Sequence, residues 1–167
     1  DLVITGQNRS GEAQSIVYEN SAAGLSIKND ANIQPLQNGD AAWGDADNDG
    51  DLDLVVLGED SFENRGGALY KANLDGSEWS FSLGSELQNL SSSSADWGDV
   101  DNDGDLDLAV LGQSDDVIDG VLQSYTRVLI NDGLGNLEDG NFGLEGLNNG
   151  EVAFADMDGD GDLDLAA

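Results

Sequence analysis

Short runs of apolar residues separated by polar turns divide this chain. Residues 54–57 form a continuous apolar run rich in β-branched side chains, and residues 108–111 repeat it. Such runs are too short for helices, and continuous apolar character is typical of strands that are buried on both faces. Residues 79–83 instead alternate apolar and polar side chains, as a half-buried strand does. The pattern therefore predicts an all-β chain.

Within one repeat the pattern predicts four short strands. An acidic loop leads into the buried run at 54–57, which is followed by a polar turn at 59–67. A further strand at 68–70, a second turn at 73–76 and the alternating strand at 79–83 complete the unit.

Two polar segments allow more than one interpretation. Residues 113–124 form a longer turn than their counterparts in the preceding repeat, and we interpret it as a surface insertion rather than a functional loop. The serine run at 91–94 resembles an interdomain linker. Residues 37–40 and 148–151 lie at the same distance before an acidic loop as residues 91–94 do, so we interpret all three as connections between repeated structural units.

An internal repeat is the strongest signal. Residues 43–54 read WGDADNDGDLDL, and the motif returns at 97–108 and 154–165. The last Asp of each copy lies at position 53, 107 or 164, and these spacings of 54 and 57 residues are typical of propellers, solenoids or arrays. Residues 1–6 align with residues 53–58, so we expect the chain to begin and end inside a repeat.

The fold predicted from these patterns is all-β, a β-propeller-type array of four-stranded blades, with about three blades in a single segment that covers residues 1–167. Closed propellers need about four to eight blades. We therefore expect the other blades to come from the rest of a longer protein or from other copies of the chain. The repeat units are approximately 1–52, 53–106 and 107–163, with the start of a further unit at 164–167.

The charge balance excludes several classes of partner. The 167 residues include 35 acidic and 5 basic side chains, for a formal net charge of −30. Such a charge repels nucleic acid and anionic membranes, and no apolar run approaches the roughly 18 residues that span a bilayer. The chain has no cysteine and no histidine, which argues against zinc, iron and copper sites. Bound divalent cations would offset part of the self-repulsion, and excess acid also favours solubility in saline surroundings.

Each full repeat carries the pattern Asp-x-Asp-x-Asp-Gly-Asp-x-Asp. One tight loop can wrap a hard cation when alternate side chains point inward and a glycine permits the sharp bend at the sixth position. We predict about three Ca²⁺ per chain, because Mg²⁺ resists dehydration and prefers a smaller cage. The first, third, fifth and ninth Asp are predicted to donate carboxylates and the seventh its backbone carbonyl. The predicted ligands are Asp45, Asp47, Asp49, Asp51 and Asp53; Asp99, Asp101, Asp103, Asp105 and Asp107; and Asp156, Asp158, Asp160, Asp162 and Asp164.

The loops differ from EF-hands in how they would close the metal site. An EF-hand needs a bidentate Glu at the twelfth position and a helix on either side. Val56 and Val110 stand at that position in the first two loops, within the predicted buried strands. We therefore assign the closing role to the ninth Asp.

These motifs resemble those of a known repeat family. WGDxDNDGDLDL followed by an apolar strand and Gly resembles the FG-GAP and VCBS repeats, which build the seven-bladed propeller of integrin alpha subunits and many secreted bacterial proteins. The resemblance covers essentially the whole chain. It implies a radial ring of seven blades, a loop joining the first two strands of each blade, and calcium binding by the positions assigned above. Asp1 alone does not fill the family pattern, so no metal is expected there.

Several aromatic residues invite functional interpretation. Trp43, Trp97 and Phe154 precede the three loops, and their recurrence favours packing between blades over sugar binding. Trp79 has no aromatic counterpart in the other units, which makes it the better candidate for a ligand contact.

Three classes of function fit the sequence. The first is a non-catalytic extracellular or cell-surface module for adhesion or for protein or glycan recognition, in which calcium stiffens the loops. The second is the scaffold or carbohydrate-binding part of a secreted polysaccharide-active enzyme, and the third is a structural subunit of a surface fibre. The chain offers no nucleophile with a partnering base, so we expect no catalysis.

Overall fold

The computed structural model describes residues 1–75 and 78–167, and this part of the chain folds entirely into β-strands and loops. No helix there could cross a membrane. The all-β prediction is confirmed. The twelve strands are β1 (Leu2–Gln7), β2 (Ala13–Ser21), β3 (Gly24–Ile27), β4 (Ala41–Gly44), β5 (Asp53–Glu59), β6 (Arg65–Asp75), β7 (Glu78–Gly98), β8 (Asp107–Ile118), β9 (Val121–Asn131), β10 (Leu137–Asp139), β11 (Ala153–Ala155) and β12 (Asp164–Ala166).

The strands form three antiparallel sheets in sequence order. β1 to β3 make the first sheet, β4 to β10 a seven-stranded meander, and β11 and β12 a two-stranded sheet. The long strand β7 pairs with β6 along its first part and with β8 along its last part, with a register shift between Ser91 and Ser94. Strand β7 therefore belongs to two groups of four strands, β4–β7 and β7–β10, as the four-strand repeat predicts.

The connections predicted at 37–40, 91–94 and 148–151 share one backbone feature. Each contains a residue in the left-handed conformation, namely Asn38, Ser92 and Asn149, with φ of 50°, 48° and 56°. The Ser92 amide donates to Asn38 O at 2.6 Å, and the Asn149 amide donates to Ser92 O at 3.0 Å. The connections thus bond to one another from unit to unit. The middle one lies within β7 rather than in a loop.

Two predicted turns are wrong in their bounds. Strand β6 continues to Asp75, so most of the turn predicted at 73–76 is strand, and Gly76 lies outside the described residues. Residues 113–124 are largely the extended ends of β8 and β9, joined at Asp119 and Gly120 with φ of 53° and 79°. Positive φ at both positions is typical of a two-residue hairpin turn, for which Asp-Gly is a recognised signal.

The core lies between successive groups of strands. Leu54 and Val56 of β5 pack towards the first sheet, where they meet Val17. Val55 and Leu57, on the opposite face, pack against Leu108 and Val110 of β8. The other face of β8 in turn packs against residues around β11 and β12. β5 and β8 are therefore buried on both faces, as their continuous apolar runs predict.

Trp97 and Phe154 each pack on a glycine of the preceding unit. A Cβ added to Gly44 would lie 2.7 Å from the Trp97 ring, and a Cβ added to Gly98 would lie 2.7 Å from the Phe154 ring. Any side chain at these glycines would clash with the ring. The predicted packing role of these aromatic residues is confirmed for Trp97 and Phe154.

Candidate metal centres

The three acidic loops each connect two paired strands. They lie between β4 and β5 (loop 1, residues 45–52), between β7 and β8 (loop 2, residues 99–106), and between β11 and β12 (loop 3, residues 156–163). In every case the aromatic residue before the loop pairs with the leucine after the ninth Asp. This common register gives the three loops the same entry and exit points.

The first, third and ninth Asp of every loop come together. In each loop one carboxylate oxygen from each of the three residues lies within 4.8 Å of the other two. The ninth Asp begins the second strand of its pair and is the most buried of the three in every loop. The groups are Asp45, Asp47 and Asp53; Asp99, Asp101 and Asp107; and Asp156, Asp158 and Asp164.

The ninth Asp also fastens its loop to the sheet. In loop 1, Asp53 Oδ2 accepts a hydrogen bond from the Ala46 amide at 2.9 Å, and Asp53 Oδ1 accepts one from the Ala72 amide at 2.8 Å. The amides of Val100 and Asn131 make the same two bonds to Asp107, both at 2.9 Å. One carboxylate therefore holds the start of the loop and the third strand of the unit together.

The same bonds recur at both ends of the chain. Asp164 Oδ2 accepts from the Met157 amide at 3.0 Å, and Asp1 Oδ1 accepts from the Asn20 amide at 2.8 Å. The second bond places Asp1 in the role of a ninth Asp, as the alignment of residues 1–6 predicts.

Burial changes the acidity of two of these groups. Desolvation raises the pKa of Asp53 and of Asp107 above the ordinary aspartate value, backbone hydrogen bonds oppose the shift, and neighbouring loop carboxylates add to it. Each group therefore ionises at a free-energy cost in the absence of a cation. A divalent ion beside the carboxylates would offset that cost.

The first Asp and the sixth-position glycine close each loop. The amides of Gly50, Gly104 and Gly161 donate to the first Asp of their own loop, each at 3.1 Å, and the three glycines have φ between 93° and 100°. Those φ values strain any residue with a side chain, which explains the fixed glycine. The fourth position is also left-handed, with φ of 58° at Asn48 and 61° at Asn102.

The fifth and seventh positions do not join the three converging carboxylates. Oδ1 of the fifth Asp accepts the amide of the seventh Asp of the same loop, at 2.9 Å in loops 1 and 2 and 3.0 Å in loop 3. One oxygen of each fifth carboxylate is therefore engaged in shaping the turn. Ligation by Asp49, Asp103 and Asp160, and by the seventh-position carbonyls, stays a prediction.

Loop 1 carries the clearest sign that a cation fits. Asp45 Oδ1 and Asp47 Oδ1 are buried and accept no hydrogen bond from any described residue. Buried carboxylate oxygens without a partner are costly, and two of them beside Asp53 form a concentrated negative site. Oxygen donors with this charge suit a hard divalent cation.

Burial of the acidic groups decreases from loop 1 to loop 3. In loop 1 the first and third Asp are half-buried, in loop 2 the third is exposed, and in loop 3 both are exposed. Asn131 of β9 covers part of loop 1, because its Nδ2 donates to Ala46 O at 2.8 Å.

Sequence reasoning missed three asparagines around the loops. Asn48 and Asn102, at the fourth positions, donate side-chain hydrogen bonds to the seventh Asp of the following loop. Asn131 is 3% exposed, and its side chain bonds to two carbonyls and one amide. The choice of Asn, Asn and Gly at the fourth positions was a signal for left-handed backbone, whereas nothing local marks Asn131.

Lys71 distinguishes loop 1 from the other loops. Its ammonium lies 3.3 Å from Asp47 Oδ2, and both side chains are partly buried. It also donates to the Leu134 carbonyl in the turn between β9 and β10. Ile130 holds the equivalent position beside loop 2, because Lys71 and Ile130 directly follow Tyr70 and Leu129, which pair with equivalent leucines. Loop 1 thus has a protein cation at a predicted calcium ligand.

Trp79, the candidate for a ligand contact, is part of an aromatic cluster. Its ring meets the Phe81 ring edge-on with centroids 5.4 Å apart, and the Lys28 ammonium lies 4.9 Å from its centroid. Trp43 and Phe81 are 6.0 Å apart, centroid to centroid. The three rings line a cavity of about 330 Å³ with Asp1 and several residues of loop 1 and β6.

Comparison with known proteins identifies the repeat. The family model of the FG-GAP-like repeat matches residues 45–110, which run from the first Asp of loop 1 into the first half of β8 and include loops 1 and 2. No curated protein and no solved structure matches the chain. Residues 45–110 thus resemble an FG-GAP-like repeat, and the all-β antiparallel architecture agrees with that resemblance.

Proposed function

We propose that this chain is part of a non-catalytic, extracellular calcium-binding β-propeller that recognises a protein or a glycan, with Ca²⁺ stabilising the loops. The family match supports a propeller-type module, and repeats of this type are typically structural rather than catalytic. Outside cells, millimolar calcium keeps even weak sites filled. Such a module would serve adhesion or the recognition of a protein or a glycan.

The observation that carries the proposal is the threefold convergence of carboxylates. The three loops lie more than 50 residues apart in sequence. Within each loop, carboxylate oxygens of the first, third and ninth Asp lie within 4.8 Å of one another. Three negative groups so close together repel one another, and in loop 1 two of their buried oxygens lack a hydrogen bond from the described residues. Calcium bound at these positions would remove both costs.

The residues that would hold Ca²⁺ are those predicted from the sequence. The first, third and ninth Asp supply carboxylate oxygens that already converge. The fifth carboxylate and the seventh carbonyl would complete the about six to eight oxygens that calcium takes. The ion would supply fixed positive charge and a link between the two ends of each loop.

Calcium binding is tested by calorimetric titration of chelator-treated protein and by thermal melts in calcium, in magnesium and in chelator. We expect about three ions per chain and a melting temperature that rises with free Ca²⁺, because a ligand that binds only the folded state stabilises it. Asp101→Asn should reduce the stoichiometry to about two. Glu138→Gln, which removes the same charge from an exposed position on β10, should leave it unchanged.

Either of two results would contradict the calcium proposal. One is the absence of any heat of calcium binding in the titration together with a melting temperature that does not change with calcium. The other is an equal loss of bound calcium in Asp101→Asn and Glu138→Gln, which would mean that the ions respond to net charge rather than to the loops.

We further propose that another repeat packs on the outer face of the first sheet. Leu2 and Ile4 of β1 and Leu25 and Ile27 of β3 are 40–60% exposed, and cross-strand pairing through β2 places them on one face. The corresponding face of β5 is buried against a neighbouring sheet. The partner would be a blade from another copy of the chain or from further repeats of a longer protein.

Sedimentation velocity over a range of concentrations tests whether copies of the chain supply that partner. We expect self-association that Ile4→Asp weakens, because the charge would be buried in the contact. Val121→Asp, on the hairpin between β8 and β9, is an exposed control, 63% exposed against 48% for Ile4, and should leave association unchanged. A monomer at every concentration would contradict partnership between copies.

A further inference from the structure

We infer that the fourth-position asparagines, Asn48 and Asn102, couple calcium binding between successive loops. This inference rests on the proposed function, since it concerns the same three loops. It assigns to two residues outside the ligand set a positioning role, in which the state of one loop sets the affinity of the next.

The two hydrogen bonds that carry the inference are equivalent. Asn48 Nδ2 of loop 1 donates to Asp105 Oδ1 of loop 2 at 2.7 Å, across 57 residues of sequence. Asn102 Nδ2 of loop 2 donates to Asp162 Oδ1 of loop 3 at 2.8 Å, across 60 residues. In both cases the fourth position of one loop bonds to the seventh position of the following loop. The contact is therefore a property of how one unit packs on the next.

The donor end is tied to the metal ligands of its own loop. Asn48 lies between the third and fifth positions, Asp47 and Asp49, and its φ of 58° is left-handed. An ion that fixes both neighbouring carboxylates also fixes the backbone of the residue between them. Calcium in loop 1 therefore holds the Asn48 amide where it meets loop 2.

The acceptor end belongs to the residue whose carbonyl is predicted to bind the next ion. Asp105 is held from two sides, because its carboxylate also packs against Gly133, where a Cβ would lie 2.4 Å from Oδ2. Fixing this side chain restricts the peptide unit that presents the seventh-position carbonyl. When the contact from loop 1 orders this part of loop 2 before its own ion binds, less conformational entropy is lost on binding that ion. The result is positive cooperativity between the two loops.

A second bridge joins loops 1 and 2. Asn131 Nδ2 donates to Ala46 O of loop 1 at 2.8 Å and to Leu106 O of loop 2 at 3.0 Å. Its own amide donates to Asp107, the ninth Asp of loop 2. Among the described residues, the hydrogen bond from Asn102 to Asp162 is the only one that links loops 2 and 3. Coupling should therefore be stronger between loops 1 and 2 than between loops 2 and 3.

The experiment follows each loop separately during a calcium titration. In ¹H–¹⁵N spectra, the amides of Gly50, Gly104 and Gly161 report on loops 1, 2 and 3, because each bonds to the first Asp of its own loop. Asp101→Asn disables loop 2, and the affinities of loops 1 and 3 are then measured. We expect loop 1 to weaken at least about fivefold, the lower end of typical coupling, and loop 3 to weaken less.

Asn48→Gly removes the donor and keeps the backbone conformation. Glycine occupies the fourth position of loop 3, where Gly159 has φ of 79°, so the substitution copies a residue that the motif already accepts. When Asp101→Asn is combined with Asn48→Gly, the loss of calcium affinity that Asp101→Asn causes in loop 1 should fall by at least half. The remaining loss passes through Asn131. The loss of affinity in loop 3 should persist. In Asn102→Gly the effect of Asp101→Asn on the affinity of loop 3 should fall, while its effect on loop 1 persists. This variant tests the second bond independently if Asn48→Gly does not fold.

The outcomes separate this inference from the proposed function. Calcium-dependent shifts in all three glycines, with unchanged coupling in both glycine variants, would overturn the role of the asparagines and leave the metal loops intact. An absence of calcium-dependent shifts in the parent protein would overturn the metal function, and this inference with it.

Discussion

Strands β1 and β5 have the same sequence pattern but different surroundings. Leu2 pairs with Tyr18 in the first sheet as Leu54 pairs with Tyr70 in the meander, so the two leucines are equivalent. Leu54 is fully buried, whereas Leu2 is 42% exposed. The difference arises because β5 has a packed neighbour on both faces and β1 on one. An apolar strand in this repeat is thus completed by the next unit rather than by its own.

The largest expected difference concerns these two leucines. Leu54→Ala should reduce the free energy of unfolding by about 2–5 kcal/mol, because it leaves a cavity between two packed sheets. At concentrations where the chain is monomeric, Leu2→Ala removes the same atoms from a half-exposed site and should cost less than about 1 kcal/mol. Urea denaturation of both variants at fixed calcium measures the contrast. Equal losses would show that a second layer covers Leu2 in solution.

A smaller difference is expected at two equivalent asparagines near the ends of strands β2 and β9, Asn20 and Asn131. Asn131 is buried and makes three side-chain hydrogen bonds, whereas its counterpart Asn20 is exposed. Asn131→Ala should cost about 1–3 kcal/mol, because it leaves Ala46 O and Leu106 O without a partner. Asn20→Ala should change stability by less than about 0.5 kcal/mol.

The backbone at this position accepts alanine, since Ala72 holds the same place in β6 and its amide makes the same bond to the ninth Asp. Any loss in Asn131→Ala therefore reports the side-chain bonds. Chemical denaturation in chelator and in calcium gives both values, and a loss in Asn20→Ala as large as that in Asn131→Ala would contradict the expectation.

The smallest expected effect distinguishes loop 1 from loop 2. Lys71→Met should raise the calcium affinity of loop 1 roughly twofold to fivefold, because it removes a positive charge beside Asp47 at the cost of a partly buried ion pair. Ile130→Met, at the equivalent place beside loop 2, should leave that loop unchanged. Glycine amide shifts during titration measure both affinities. A lower affinity of loop 1 in Lys71→Met would mean that Lys71 supports the loop rather than competing with the ion.

Sequence reasoning was most successful where the determining interactions are local. The apolar runs at 54–57 and 108–111 predicted strands buried on both faces, and the aspartate spacing predicted the positions of three equivalent loops. The predicted turns were less accurate. At 113–124 the sequence does carry a local hairpin signal, Asp119-Gly120 between two apolar pairs, and the prediction of a single long turn overlooked it.

The strands, the loops and the sixth-position glycine could be predicted from the sequence, because each depends on residues close together in the chain. Packing between units settles which strand faces are covered, which carboxylate oxygens of loop 1 lie buried, and which side chains bridge the loops. Those features arise where one repeat packs on another some 55 residues away. Asn48 and Asn131 gain their partners only through that packing, which no local pattern encodes.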